Sequence, residues 1–133
     1  MRFVEPEGWA RPSGYANGVA ARGEVLAIAG QIGWNPATCK FESDDLVTQA
    51  RTALENVIAV VRAAGGGPEH VTRLTWYIVD RDAYNAALRA LGAAYREVFG
   101  RHYPAMTLVV VAGLLEPRAQ VEIEATAILP ERS

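Results

Sequence analysis

The sequence predicts an α+β domain in which one mixed β-sheet carries two helices on one of its faces. Three observations predict it. Strand-like and helix-like segments follow one another without regular alternation, two segments carry an apolar stripe at helical spacing, and the last segment alternates apolar and polar residues. Two helices cannot cover both faces of such a sheet. The opposite face is therefore expected to meet further copies of the same chain.

The stretch from Trp9 through Pro12, Gly14 and Asn17 to Gly18 is dense in Gly, Pro and Asn and reads as loop with short extended pieces. Glu24 to Gly30 is a short apolar run bounded by glycines, consistent with a buried strand. Gln31 to Lys40 reads as a turn-rich connection. From about Asp44 to Ala64, Leu46, Ala50, Ala53, Leu54, Val57, Val61 and Ala64 form one stripe of a helix with a core-facing side. Ser43 or Asp44 can cap it, and Gly65-Gly66-Gly67-Pro68 stops it. That glycine run follows a helix instead of leading from a strand into one, so it is a stop signal and not a phosphate loop.

His70 to Val79 is β-rich, and Asp80 or Asp82 then caps a second helix to about Phe99, with Tyr84, Leu88, Leu91, Tyr95, Val98 and Phe99 on its stripe. Met106 to Val111 and Gln120 to Leu129 are two further strands. In the last, Val121, Ile123, Ala125 and Ala127 share one face while Gln120, Glu122, Glu124 and Thr126 share the other. One face packs on helices and the other meets water or something polar.

The 133 residues read as one domain, 1–133, with no internal repeat or dividing linker. Half the chain is hydrophobic, 21% is charged and the formal net charge is -2. A weakly acidic chain without a Lys/Arg stripe argues against nucleic-acid and membrane-surface partners. No apolar segment approaches the ~18 residues a bilayer span requires. The residues from Met1 to Pro6 lack the apolar core of a secretory signal, and a single cysteine fits a reducing compartment, so a cytoplasmic protein is expected. Cys39, His70 and His102 share no ligand-like spacing, so neither metal nor cofactor is expected. Cys39 reads as an incidental thiol and His70 as a surface or capping residue.

Four segments carry a resemblance. Pro12-Ser13-Gly14-Tyr15 lies near the start, and Ala29-Gly30-Gln31-Ile32-Gly33 with Asn35-Pro36 closes the second extended run. Gln49-Ala50, Ala53-Leu54 and Asn56 lie on the first helix, and Pro104-Ala105-Met106-Thr107 precedes Val121-Glu122-Ile123-Glu124-Ala125. In this order and at these separations the chain resembles the Rid (reactive-intermediate deaminase, YjgF-like) family from end to end. The resemblance implies a chorismate-mutase-like α+β fold, a homotrimer with clefts between subunits, and a small-molecule ligand. It also implies hydrolysis of short-lived enamines and imines, such as 2-aminoacrylate, to a ketone and ammonia.

That chemistry needs a group to orient water and take its proton, and a fixed cation where the substrate bears a carboxylate. In the family these roles fall to the first Glu of Glu-Ile-Glu and the Arg of a Pro-Ala-Arg triplet. Carried over, Glu122 is the implied catalytic residue, and Tyr15 is the aromatic residue that shapes the pocket. The Arg position holds Met106, the family's pocket Ser position holds Ala29, and an Asn of the second helix aligns with Gly92. The chain therefore looks like an Arg-lacking subgroup, with Met106 and Trp34 lining a more apolar pocket. Arg101 or His102 offers a replacement cation. The residues alone leave plainer alternatives open: Glu122 solvated, Tyr15 packed at an interface, Trp34 in the core. Two functions compete, deamination or a related hydrolysis in an intersubunit cleft, and non-catalytic metabolite binding on the same scaffold.

Overall fold

The structure is a computed structural model that describes residues 1–131. A long helix, α1 (Leu46–Ala63), and a shorter one, α3 (Leu88–Phe99), lie on one face of a four-stranded sheet. A one-and-a-half-turn helix, α2 (Arg81–Ala86), leads into α3. Short pairs flank the sheet: β1 (Arg2–Val4) with β2 (Gly18–Ala20), and β4 (Trp34–Asn35) with β5 (Lys40–Phe41). The sheet itself runs β3 (Glu24–Ile32), β8 (Val121–Leu129), β6 (Val71–Ile78), β7 (Ala105–Val110) in spatial order. Only β7 runs parallel to its neighbour, so the sheet is mixed, as expected.

The alternation of β8 is reproduced residue for residue: Val121, Ile123, Ala125, Ala127 and Leu129 are buried, and Glu122, Glu124 and Thr126 are half-buried. Leu74, Trp76 and Ile78 of β6 pair with Ala125, Ile123 and Val121, which places them on the same helix-covered face. The stripe of α1 sinks onto it, with Ala50, Ala53, Leu54, Val57 and Val61 fully buried. Among the described residues no helix lies on the other face.

Several local expectations change. The cap of α1 is Asp45, not Ser43 or Asp44: its Oδ2 accepts from the Thr48 N–H (3.0 Å) and hydroxyl (2.9 Å). Ser43 instead holds Asp45 by accepting its N–H (3.0 Å), and Asp44 pairs with Arg118 (2.9 Å). Asp80 caps α2 as expected, accepting from the Ala83 N–H at 3.0 Å. The second helix is interrupted, however. The Ala87 N–H bonds Tyr84 O, three residues back, so the turn tightens, the stripe rotates, and Leu88 is left 53% exposed. The Glu24–Gly30 run is an edge strand and not a buried one, because β3 has a single neighbour and one uncovered face; only Ile28 is fully buried.

The Gln31–Lys40 connection contains the β4–β5 hairpin. Gln49, fully buried on α1, ties this region down: its Nε2 donates to Ser43 O and Arg118 O (both 3.0 Å), and its Oε1 accepts the Gln120 N–H (2.8 Å). Asn56 donates to Ile32 O (3.3 Å) and Trp34 O (3.0 Å). A Cβ on Gly33 would stand 2.4 Å from the Gln49 Cα, so only glycine lets chain and helix approach this closely.

Candidate functional site

The register of β8 and the irregularity of β3 together create the first half of the site. Between Ile28 and Gln31 the pairing shifts, and Ala29 and Gly30 fall inside the resulting bulge. A Cβ on Gly30 would lie 2.2 Å from Glu122 Oε2, so the Glu122 carboxylate rests over the space that the glycine leaves open. Glu122 pairs with Ile32 and Tyr77 and so points to the uncovered face of the sheet. Among the described residues it has no hydrogen-bond or ion-pair partner. Glu124, one pleat along, is engaged: the Tyr77 hydroxyl donates to it at 2.6 Å, and that bond raises the Tyr77 hydroxyl above its ordinary pKa. Further along, Ala27, Arg73, Thr75 and Glu124 line a shallow recess of about 300 Å³.

The second half lies on the helix side. Met106 pairs with Leu74 and shares the face that α1 and α3 cover. It lines a recess of about 450 Å³ with Trp76, Leu91, Gly92, Tyr95 and Arg96, and Ser13-Gly14 of the N-terminal loop borders it. Tyr95 stacks between Phe99 (4.9 Å) and Tyr103 (5.3 Å) and donates its hydroxyl to His102 O at 2.6 Å. Burial pushes the Tyr95 hydroxyl far above its ordinary pKa, so it stays a donor. The recess falls within the ~300–1,000 Å³ range of small-molecule sites.

The residues singled out from the sequence are thus dispersed. Tyr15 is 42% exposed and borders a third hollow with Arg11, Arg101 and Tyr103. Trp34 is half-buried against Phe41 of the paired strand (5.8 Å). Ala29 is exposed beside Gly30, and the Gln31 side chain donates to its carbonyl at 3.1 Å. His102 is committed elsewhere, its Nε2 2.7 Å from Val71 O, and His70 accepts the Gly67 N–H on its Nδ1 (3.0 Å), a capping role as expected. Met106 and Glu122 sit on opposite faces of one sheet. Among the described residues there is no cluster of His, Cys, Asp and Glu suited to a metal, and no helix long and apolar enough to cross a membrane.

Sequence reasoning missed Arg96 and Trp76 as lining residues, because neither falls in the four segments. The one available signal was their spacing from Gly92 and Met106, which has meaning only once α3 lies over β6 and β7.

The family model described as Endoribonuclease L-PSP matches residues 9–129. The chain is 34% identical to a Yersinia pestis protein of unknown function from the conserved Rid protein family. The two structures superpose with a TM-score of 0.84 over 96% of this chain and 98% of that one. The 2-iminobutanoate/2-iminopropanoate deaminase of Escherichia coli (strain K12) is 33% identical over 117 residues, 86% of each chain. E. coli TdcF, whose crystal structure contains bound serine, is 32% identical, with a TM-score of 0.68 over the whole of both chains.

Proposed function

Because the chain belongs to the endoribonuclease L-PSP (Rid) family, we propose that it hydrolyses a small imine or enamine to a carbonyl compound and ammonia. The observation that carries this reading is the Glu122 carboxylate, held over the Gly30 bulge on an uncovered sheet face without a partner among the described residues. A carboxylate so placed accepts a proton from water as that water adds to the C=N carbon and passes it to nitrogen; it then moves the proton of the new hydroxyl to the amine as the C–N bond breaks, the C=O forms and ammonia leaves. Met106 supplies the wall of the pocket and no charge, so an anionic substrate group is not held at that position.

The two halves belong to different copies. Met106 and Glu122 cannot meet around one sheet, so a site using both is built where the Glu122 face of one subunit closes the Met106 recess of another. A homotrimer with three such clefts is the assembly we infer. Exposed Val25, Val109 and Leu115 give it apolar surface to bury.

Imines generated in situ from amino acids by an amino-acid oxidase provide the test. The wild type accelerates their loss, and Glu122→Gln lowers that acceleration by roughly a hundredfold or more at an unchanged melting temperature. Tight binding of the hydrolysis products with no acceleration of any imine would instead favour the metabolite-binding reading, for which the apolar residues Ala29 and Met106 speak.

A further inference from the structure

The recess beside Met106 holds a cation that the four sequence segments do not contain. Arg96 lies one turn beyond Gly92 on α3, and both line the recess. A Cβ on Gly92 would come within 3.3 Å of Arg96 Nη1, so the guanidinium lies back along the helix over the gap that the glycine leaves. Among the described residues Arg96 has no ion-pair partner, and the neighbouring acid Glu97 is engaged by Arg51 at 3.0 Å. Among the described residues no acidic side chain lines the recess.

Trp76, only 5% exposed, lines the same recess with its indole N–H enclosed, which leaves the Arg96 guanidinium as the charged donor of the described lining. The stacked rings of Tyr95 and Tyr103, with Leu91 and Met106, offer apolar walls.

We infer that this recess takes a ligand with a carboxylate at one end and an apolar body, and that Arg96 is the residue that holds the carboxylate. The planar guanidinium fork matches a carboxylate in two parallel hydrogen bonds, whereas Met106 contacts only the apolar part. The assignment deepens the proposed function, since it rests on this recess being the ligand-holding half of the site. What the assignment adds is the residue that holds the carboxylate, bound from α3 instead of from β7.

Calorimetric titration of the full-length protein with 3-phenylpropanoate and with its neutral amide, 3-phenylpropanamide, tests this without requiring turnover. The wild type should bind the carboxylate about tenfold more tightly than the amide, the lower end for a charge-assisted contact at a partly exposed site. Arg96→Gln should erase that preference and leave amide binding unchanged, Arg96→Lys should restore part of it, and Arg101→Gln should retain it. The side chain of Arg96 is exposed, so the melting temperature of Arg96→Gln should match the wild type. Equal binding of the two probes by the wild type overturns the assignment, as does a preference that survives Arg96→Gln or is lost in Arg101→Gln. Failure of the wild type to bind either probe at millimolar concentration overturns it too. The two readings fail separately. Lost carboxylate preference in Arg96→Gln stands even where no imine is hydrolysed, and hydrolysis without a carboxylate preference sinks Arg96 alone.

Discussion

At the residue scale, glycines decide where reactive groups lie. Gly30 leaves room for the Glu122 carboxylate, and its backbone conformation is open to other residues, so Gly30→Ala tests the position of Glu122 without straining the chain. The added methyl would displace the end of a flexible side chain, which swings to another rotamer. The expected outcome is a loss of hydrolysis of about tenfold or more, as for a misplaced catalytic group, with little change in the melting temperature. Activity equal to wild type would show that the Glu122 carboxylate does not work from the position over the bulge. Gly33 differs in kind, because its virtual Cβ meets the backbone of α1 and not a movable tip. Several residues quoted for the family resemblance serve the scaffold. Gln49 bonds the backbone carbonyls of Ser43 and Arg118, and Asn56 those of Ile32 and Trp34, which gives both a scaffold role in the pattern.

At the element scale, α1 is the piece on which the sheet rests, and its first turn depends on Asp45. The Thr48 N–H and hydroxyl both donate to this carboxylate and hold its pKa below the ordinary value. Replacing the cap with alanine should cost about 1 kcal/mol near neutral pH, read from denaturant unfolding, and Asp45→Asn should recover most of it. A carboxyl whose folded pKa is depressed stabilises the fold above its unfolded value and ceases to do so as pH falls through the folded one. The gap between wild type and Asp45→Ala should therefore begin to narrow near about pH 4 and close below it. A gap that is constant with pH would assign the cost to lost helix packing. The interruption at Ala87 matters for a different reason: it leaves Leu88 53% exposed where Tyr84 of α2 and Leu91 of α3 border the recess.

At the scale of the whole molecule, Met106 and Glu122 lie on opposite faces of one sheet, so a site that uses both requires a second subunit. Light scattering coupled to size exclusion should give a trimer, and a stable monomer at micromolar concentration would remove the basis for the shared cleft. Subunit mixing probes the arrangement directly. Glu122→Gln retains an intact recess, while Gly92→Trp, with a bulky ring filling the recess, retains an intact Glu122. Each variant alone should be inactive. Unfolded and refolded together in equal amounts, they should recover about a quarter of wild-type activity, because random assortment pairs an intact recess with an intact Glu122 at that frequency. No recovery from folded mixed trimers would place the recess and Glu122 of a single site on the same subunit.

Periodicity by itself determined the fold class. The α1 stripe and the strict alternation of β8 each dictate one buried face, and two such faces can be satisfied only against each other. The family motifs pointed to Glu122 and Met106 because glycines and carboxylates at fixed separations are local features of a chain. What only the tertiary structure decided is which side of the sheet each residue occupies and what stands beside it. Residues 96 and 106 line one recess because α3 packs on the sheet face that Met106 shares, and no pattern within α3 distinguishes Arg96 from a solvated arginine. The Ala87 break was hidden for the same reason. Helical spacing in sequence is unchanged when a single turn tightens, and the rotation that exposes Leu88 is imposed by what the two half-helices pack against.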